Sequence, residues 1–151
     1  MQADEGSLRL ITKVIIEKGF IDIPAEGTSM FPLIGQGDIC RFVSCETSML
    51  KRGDVVLFLA PSGPFVAHRY YKTLTEGNRT LYMFKGDTNI SFDEPIVREQ
   101  IIGRLEFVRK AKRTIYTARL AANLWSFLIL FFPWSSQLLR VHLIRKGRLQ
   151  S

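Results

Sequence analysis

Residues 26–38, which read EGTSMFPLIGQGD, constrain the fold most because they separate two runs that have the composition of β-strands. Three glycines and a proline in this segment disfavour a helix, and the flanking apolar runs cover residues 20–23 and 39–43. Ser29 is therefore predicted to lie on a turn between strands. A serine in that position can present its hydroxyl to a cleft, although most serines in Gly/Pro segments only form turns.

Short apolar runs at close spacing predict a mainly β domain. The predicted strands cover residues 20–23, 39–43, 54–60, 65–71, 80–84 and 101–108, with a hairpin turn at Gly77-Asn78 and a candidate bulge at Gly103. A short amphipathic helix is predicted over residues 7–18, and Gly19 ends it. Six or seven strands of this length indicate a partly open, barrel-like β domain behind a short N-terminal helix.

Charge divides the 151-residue chain unevenly. Residues 1–108 carry 12 Lys+Arg and 14 Asp+Glu, whereas residues 109–151 carry 9 Lys+Arg and no acidic residue. We therefore divide the chain into an N-terminal helix (1–19), a β domain (20–108) and a basic, hydrophobic, helical C-terminal tail (109–151). The N-terminus lacks a charged-then-apolar pattern, so neither a signal peptide nor an N-terminal anchor is expected.

The tail is also unusually apolar. Residues 120–134 contain only Asn123 and Ser126 as clearly polar side chains, and Pro133 interrupts the run. Three alternatives are open: a helix buried against the sheet, a segment lying in the membrane interface with Trp125 and Trp134, or a tilted span over residues 120–144. We favour membrane association through residues 120–148, with the side of the membrane undetermined. Nucleic acid is not expected as a partner, because aliphatic and aromatic residues fill this basic tail.

The cysteines and the acidic residues do not predict a metal or an organic cofactor. Cys40 and Cys45 are the only cysteines, and two thiols cannot complete a tetrahedral metal site. We expect both to be reduced, with Cys40 packed as a small hydrophobic residue. The oxygen-rich loop at residues 85–93 lacks the alternating acidic spacing of a calcium loop.

His68 is one of two histidines and lies in a predicted strand beside Arg69. A strand histidine is more often a structural residue, but one near a turn serine and a downstream acid is a candidate general base. Serine is a weak nucleophile at neutral pH, and an imidazole can remove its proton and later return it to a leaving amine. His142 is expected to be an interfacial residue without a catalytic part.

Four short motifs, in this order, resemble those of the type I signal peptidase family and its relatives, the self-cleaving SOS-type repressors. The resemblance covers about residues 20–108. The motifs are Ser29-Met30-Phe31-Pro32 followed by Gly37-Asp38, then Arg52-Gly53-Asp54-Val55-Val56, then His68-Arg69, and finally Lys85-Gly86-Asp87-Thr88-Asn89 leading to Asp93. The His-Arg pair is similar to the serine/histidine branch of the family, whereas most bacterial members have a lysine at this step. Lys72 and Lys85 are poor substitutes for that lysine.

The resemblance implies a serine endopeptidase that cleaves leader or signal peptides with a signal-peptidase-like fold. It implies Ser29 as the nucleophile, His68 as the base, Asp93 as the acid that orients it and Asp87 as a supporting residue, although the two acids could exchange roles. It also implies that the Ser29 amide, Thr28, Met30 and Pro32 surround the substrate and the oxyanion. Many signal peptidases have a hydroxyl two residues before the nucleophile, where this chain has Gly27. Asp54 is expected to be structural.

Two rival interpretations fit the sequence less well. A non-catalytic, peptide-binding relative would be expected to lack part of the Ser29, His68 and Asp93 set, and all three are present. A self-cleaving regulator would need a DNA-binding domain and a linker ahead of the serine, yet only 28 residues precede Ser29.

Overall fold

Seven antiparallel strands follow an N-terminal helix and form one open sheet. The computed structural model describes residues 5–117, 133–145 and 147. The elements are α1 (Glu5–Lys18), β1 (Phe20–Pro24), β2 (Ile39–Val43), β3 (Val55–Leu59), β4 (Phe65–Glu76), β5 (Arg79–Lys85), β6 (Ile101–Lys110), β7 (Arg113–Tyr116) and α2 (Pro133–Arg145). The strand order is β1-β2-β6-β3-β4-β5, and β7 pairs with β6. Because β1 and β5 stand at opposite ends of this order, each leaves one edge without a neighbouring strand among the described residues.

The predicted mainly β architecture and the short N-terminal helix are confirmed. Every predicted strand is present, and β4 and β5 join in a hairpin at Gly77-Asn78, where Gly77 has a φ of 61°. Next to Gly103 the pairing of β3 with β6 shifts by one residue, which is the predicted bulge. Strand β7 was not predicted, because its residues lie in the basic segment that hides the alternation of a strand.

The sheet is covered on both faces of its central strand. Val55 and Leu57 of β3 lie in one apolar cluster with α1, β2 and β6, whereas Val56 and Phe58 lie in a second cluster with β5. Successive side chains of a strand point to opposite faces, so a strand buried on both sides needs an unbroken apolar sequence. This requirement explains why β3 reads VVLFL.

Helix α1 packs closely on β6 at a glycine. A Cβ atom at Gly103 would lie 2.6 Å from Cδ1 of Ile15 and 2.6 Å from the carbonyl oxygen of Val43. Gly103 therefore allows α1 to approach the sheet and to bury Ile15 in the first cluster.

The C-terminal helix α2 contacts the β domain through a few side chains. Ser136 and Leu143 are fully buried, and Ser136 Oγ lies 3.3 Å from Nζ of Lys85. The helix begins at Pro133, the residue that was predicted to interrupt the apolar run. Within the described residues, no helix is long and apolar enough to cross a membrane. Residues 120–132 of the predicted membrane segment lie outside the described part of the chain.

Candidate active site

The turn that carries Ser29 is held in place by the apolar residues that follow it. Met30, Leu33 and Ile34 are buried in the first core cluster. The Phe31 N–H donates to the Thr28 carbonyl at 3.0 Å, and the Ile34 N–H donates to the Met30 carbonyl at 2.9 Å. Buried side chains on one side of the turn therefore fix Ser29, which is half-buried, at the surface of a cleft.

The Gly37-Asp38 and Gly53-Asp54 motifs each close a turn through the aspartate side chain. Asp38 Oδ2 accepts a hydrogen bond from the Gly35 N–H at 2.7 Å and forms an ion pair with Lys110. Asp54 Oδ2 accepts the Lys51 N–H at 2.9 Å in the equivalent way. Asp54 therefore closes the turn immediately before β3, in agreement with the structural role expected from the sequence.

His68 lies on β4 and is joined to Asp93. The Nδ1 atom of His68 lies 2.6 Å from Oδ2 of Asp93, and His68 is buried. With an ionised carboxylate at Asp93, which can only accept, the proton of this contact lies on Nδ1, and in the neutral imidazole Nε2 is then the acceptor. Asp93 reaches this position because its N–H donates to the carbonyl of Phe84 on β5, at 3.0 Å. The loop after β5 thus returns along the strand next to the histidine.

The Nε2 atom of His68 is buried and has no hydrogen-bond partner within the described residues. The structure therefore contains an imidazole whose Nδ1 contacts an acid and whose Nε2 has no described partner. Ser29 and His68 line the same cleft, but no hydrogen bond joins the Ser29 hydroxyl to Nε2. Such contacts are often long without substrate and shorten when substrate binds.

Thr88 fastens the loop after β5 to the serine turn. Its N–H donates to the Ser29 carbonyl at 3.0 Å, and its hydroxyl lies 3.4 Å from the Thr28 carbonyl oxygen. Thr88 is itself buried. The segment that supplies Asp93 and the segment that supplies Ser29 are therefore held in a fixed relation.

Asp87 forms a different pair from Asp93. Both oxygens of Asp87 accept hydrogen bonds from the Arg69 guanidinium, at 2.6 and 2.9 Å, and Arg69 also donates to the Gly53 carbonyl at 3.1 Å. Arg69 is 1% exposed and Asp87 is 0% exposed. Of the two acids left open by the sequence, Asp93 is the one in contact with His68 Nδ1, whereas Asp87 joins the loop to Arg69 of β4, which also bonds the turn at Gly53.

The cleft has a volume of about 520 Å³ and mostly apolar walls. Besides Ser29 and His68, residues 23–27, Met30 and residues 64–67 line it. Residues Thr28 and Pro32, which were predicted to lie near substrate, are not among the lining residues, and Pro32 is exposed after a cis peptide bond. Cys40 also lines the cleft, and burial raises the pKa of its thiol to about 12, so this thiol stays protonated at neutral pH.

Two open strand edges lead to the cleft. Strand β1 is the end strand of the sheet, and β5 pairs with β4 only from Arg69 onward, so residues 65–68 of β4 have no second neighbour among the described strands. Alternate residues of an antiparallel strand bond to each neighbour, and the Tyr70 N–H bonds to the β3 side. Phe65 and Ala67 therefore direct their backbone N–H and C=O groups toward the open edge.

Lys85 is buried and directly precedes Gly86, but its side chain faces α2. Its Nζ donates to Ser136 Oγ at 3.3 Å, and burial lowers the pKa of its ammonium group. Lys72 is exposed on β4. The ring of His142, also on α2, stacks on the ring of Phe31, two residues after Ser29, with 6.4 Å between the ring centroids. Helix α2 thus lies against both segments that form the site.

Gly86 leaves room for the histidine. A methyl group at Gly86 would lie 2.9 Å from Nε2 of His68 and 2.9 Å from Cγ and Nδ2 of Asn89. Sequence reasoning gave no role to Gly86, Thr88 or Asn89, although all three stand in the fourth motif. Only the three-dimensional approach of that loop to Ser29 and His68 reveals their positions.

The Gly86→Ala variant is expected to be destabilised by about 1–3 kcal/mol, because the added methyl group has to displace the imidazole or the amide. Urea unfolding followed by circular dichroism measures this loss. Gly35→Ala is the matched control, since a methyl group there meets only the Asp38 carboxyl group, at an ordinary 3.4 Å from Oδ2 and 3.9 Å from Cγ. Equal stabilities of the two variants would contradict the close approach at Gly86.

Within residues 5–117 and 133–145, no three histidine, cysteine, aspartate or glutamate side chains converge in a way that could hold a metal ion. Comparisons of the chain with protein-family models, with curated proteins and with solved structures find no match.

Proposed function

We propose that this protein is a serine endopeptidase in which Ser29, His68 and Asp93 act together. One observation carries the proposal: the imidazole of His68 contacts Asp93 through Nδ1, while Nε2 has no described partner and belongs to a residue that shares a cleft with Ser29. A buried nitrogen without a hydrogen bond is costly, so its presence calls for an explanation, and a catalytic role is one that the contact with Asp93 supports.

In the proposed mechanism, the Ser29 hydroxyl attacks the carbonyl carbon of the scissile peptide bond and transfers its proton to His68 Nε2. Asp93 stabilises the imidazolium through Nδ1. The Ser29 N–H, which bonds to no described acceptor, donates to the developing oxyanion. His68 then protonates the leaving amine, and water hydrolyses the acyl-enzyme with the same histidine as base.

The proposed substrate is an extended peptide that joins the sheet as an added strand. The open backbone groups of Phe65 and Ala67 and the free edge of β1 support this binding mode, because an extended peptide pairs with unpaired strand edges. A leader or signal peptide is the substrate class that the resemblance to type I signal peptidases implies. The open antiparallel sheet and the position of Ser29 on a turn support a signal-peptidase-like, partly open barrel, and the His68-Arg69 pair supports the serine/histidine branch.

Association with a lipid surface through residues 120–148 is part of the proposal. Its support in the described part of this segment is a row of exposed apolar side chains on α2, formed by Trp134, Leu138, Val141 and Ile144. Their spacing of three or four residues places them along one side of the helix. Arg140 and Arg145 are exposed nearby and suit anionic headgroups.

The experiment that tests the peptidase is cleavage of a pool of leader peptides by the detergent-solubilised full chain, with products identified by mass spectrometry. Cleavage at defined bonds is expected for the parent and not for Ser29→Ala. Ser62→Ala, in an exposed turn, is the matched control and is expected to cleave like the parent.

A non-catalytic peptide-binding module is the second candidate, because no hydrogen bond yet joins Ser29 to Nε2. Binding of the same peptides by the folded parent without any cleavage would favour that function and overturn the peptidase.

A further inference from the structure

The proposed oxyanion site lacks a second donor. Gly27 stands two residues before Ser29, and it has no side chain that could donate. The Ser29 N–H alone gives one hydrogen bond, whereas sites of acyl transfer usually aim two or more donors at the developing charge. A side chain from another segment of the site could supply the missing donor.

The carboxamide of Asn89 lies beside the base nitrogen. A methyl group added at Gly86 would lie 2.9 Å from Nδ2 of Asn89 and also 2.9 Å from Nε2 of His68. The two nitrogens are therefore no farther apart than twice that distance, so the Asn89 carboxamide lies beside the proposed base. No described residue forms a hydrogen bond with the Asn89 side chain, and an amide nitrogen carries two donor hydrogens.

Backbone contacts hold Asn89 in this place. Its own N–H donates to the Gly86 carbonyl at 3.2 Å, which closes a turn, and the preceding residue, Thr88, donates to the Ser29 carbonyl at 3.0 Å. Asn89 is thus one residue away from a direct bond to the nucleophile's own backbone. A donor fixed in this way needs little rearrangement during the reaction, which is the property that makes an oxyanion donor effective.

We propose that Asn89 is a catalytic residue that donates the second hydrogen bond to the oxyanion, and this inference rests on the proposed peptidase function. When the Ser29 oxygen bonds to the carbonyl carbon, the π electron pair moves onto the substrate oxygen, and the serine proton moves to His68 Nε2. The Ser29 N–H and the Asn89 side chain then share the new negative charge. When the C–N bond breaks, the electron pair returns to form the acyl carbonyl and the proton leaves with the amine.

The test compares steady-state cleavage by the full-length parent with Asn89→Ala and Asn89→Asp, using one peptide that the parent cleaves. We expect kcat to fall about 10²-fold or more in Asn89→Ala, with KM changed only a few-fold. Asn89→Asp keeps the shape but places a carboxylate near the oxyanion, so its kcat is expected to fall at least as far. Asn78→Ala, at the exposed tip of the β4–β5 hairpin, is the matched control and keeps parental kcat.

The pH profile separates this role from a positioning role. A lost oxyanion donor lowers kcat/KM at every pH and leaves the pH of half-maximal activity unchanged. In Asn89→Ala, whose methyl side chain adds no charge beside His68, a displaced profile or a kcat equal to that of the parent would overturn the role of Asn89 while leaving the peptidase intact. Urea unfolding of both variants shows whether a loss reflects misfolding, and if Asn89→Ala unfolds, Asn89→Asp decides. Absence of cleavage by the parent would overturn the peptidase and this inference together.

Discussion

Replacing Asp93 by asparagine is expected to lower kcat about 10⁴-fold while the chain remains folded. The Asp93 carboxylate holds the proton of the imidazole on Nδ1 through a 2.6 Å contact. An amide at position 93 can donate to Nδ1 instead, which moves the imidazole proton to Nε2 and removes the acceptor that Ser29 needs. His68→Ala removes the base altogether, so an effect at least as large is expected.

Steady-state kinetics on a cleavable peptide measures both losses, and thermal unfolding confirms that the variants remain folded. Glu94→Gln is the control, because Glu94 is the exposed neighbour of Asp93 and its carboxylate takes no part in the contact with His68. Cleavage by Asp93→Asn within tenfold of the parent would show that another group orients His68, and the assignment of this acid would then be wrong.

Most of the fold could be predicted from the sequence because its strands are short, apolar and bounded by Gly/Pro turns. The unbroken apolar run VVLFL indicates that β3 is buried on both faces. The alternation FIDIP indicates that β1 is covered on one face and exposed on the other. Strand β7 could not be predicted, since its short run TIY follows four basic residues and gains its place only by pairing with β6. Where the sheet opens at residues 65–68 of β4 also depends on non-local pairing, which no local pattern encodes.

The sequence predicted the central residues of the candidate site, but not which of their side chains contact one another. The sequence indicated two aspartates in one loop and left their roles interchangeable, because spacing along a loop does not say which side chain faces the histidine. The return of the loop along β5, through the bond from the Asp93 N–H to the Phe84 carbonyl, decides that contact. The approach of Asn89 and Gly86 to Nε2 depends equally on tertiary packing, so a pattern of residue types could not reveal it.

Breaking the Arg69–Asp87 pair is expected to lower the free energy of unfolding more than any other single change considered. Two side chains with 1% and 0% exposure share two short hydrogen bonds, and each neutralises a charge that water cannot reach. Removing one partner takes away the opposite charge that neutralises the other at this buried position. Arg69→Met is therefore expected to cost about 3–5 kcal/mol, and Asp87→Asn a loss of the same order.

The matched control is Arg41–Asp22, a partly exposed pair with the same hydrogen-bond geometry. Arg41 contacts both oxygens of Asp22 at 2.7 and 2.8 Å, but both side chains are partly exposed, and the guanidinium holds the pKa of Asp22 below its ordinary value. Urea unfolding of Asp22→Asn is expected to show a much smaller loss than that of Asp87→Asn, because solvent screens an exposed pair. Equal losses would mean that burial does not set the strength of the Arg69–Asp87 contact.

The double variant Arg69→Met with Asp87→Asn separates the pair from the packing around it. Because each single change leaves an uncompensated charge and the double change leaves none, the loss in the double variant is expected to be smaller than the sum of the two single losses. Arg69 directly follows His68, and Asp87 directly follows Gly86, so the pair joins the strand of the base to the loop that leads to Asp93. Additive losses would show instead that Arg69 and Asp87 stabilise the fold through separate contacts, and their pairing would then not be what joins the strand to the loop.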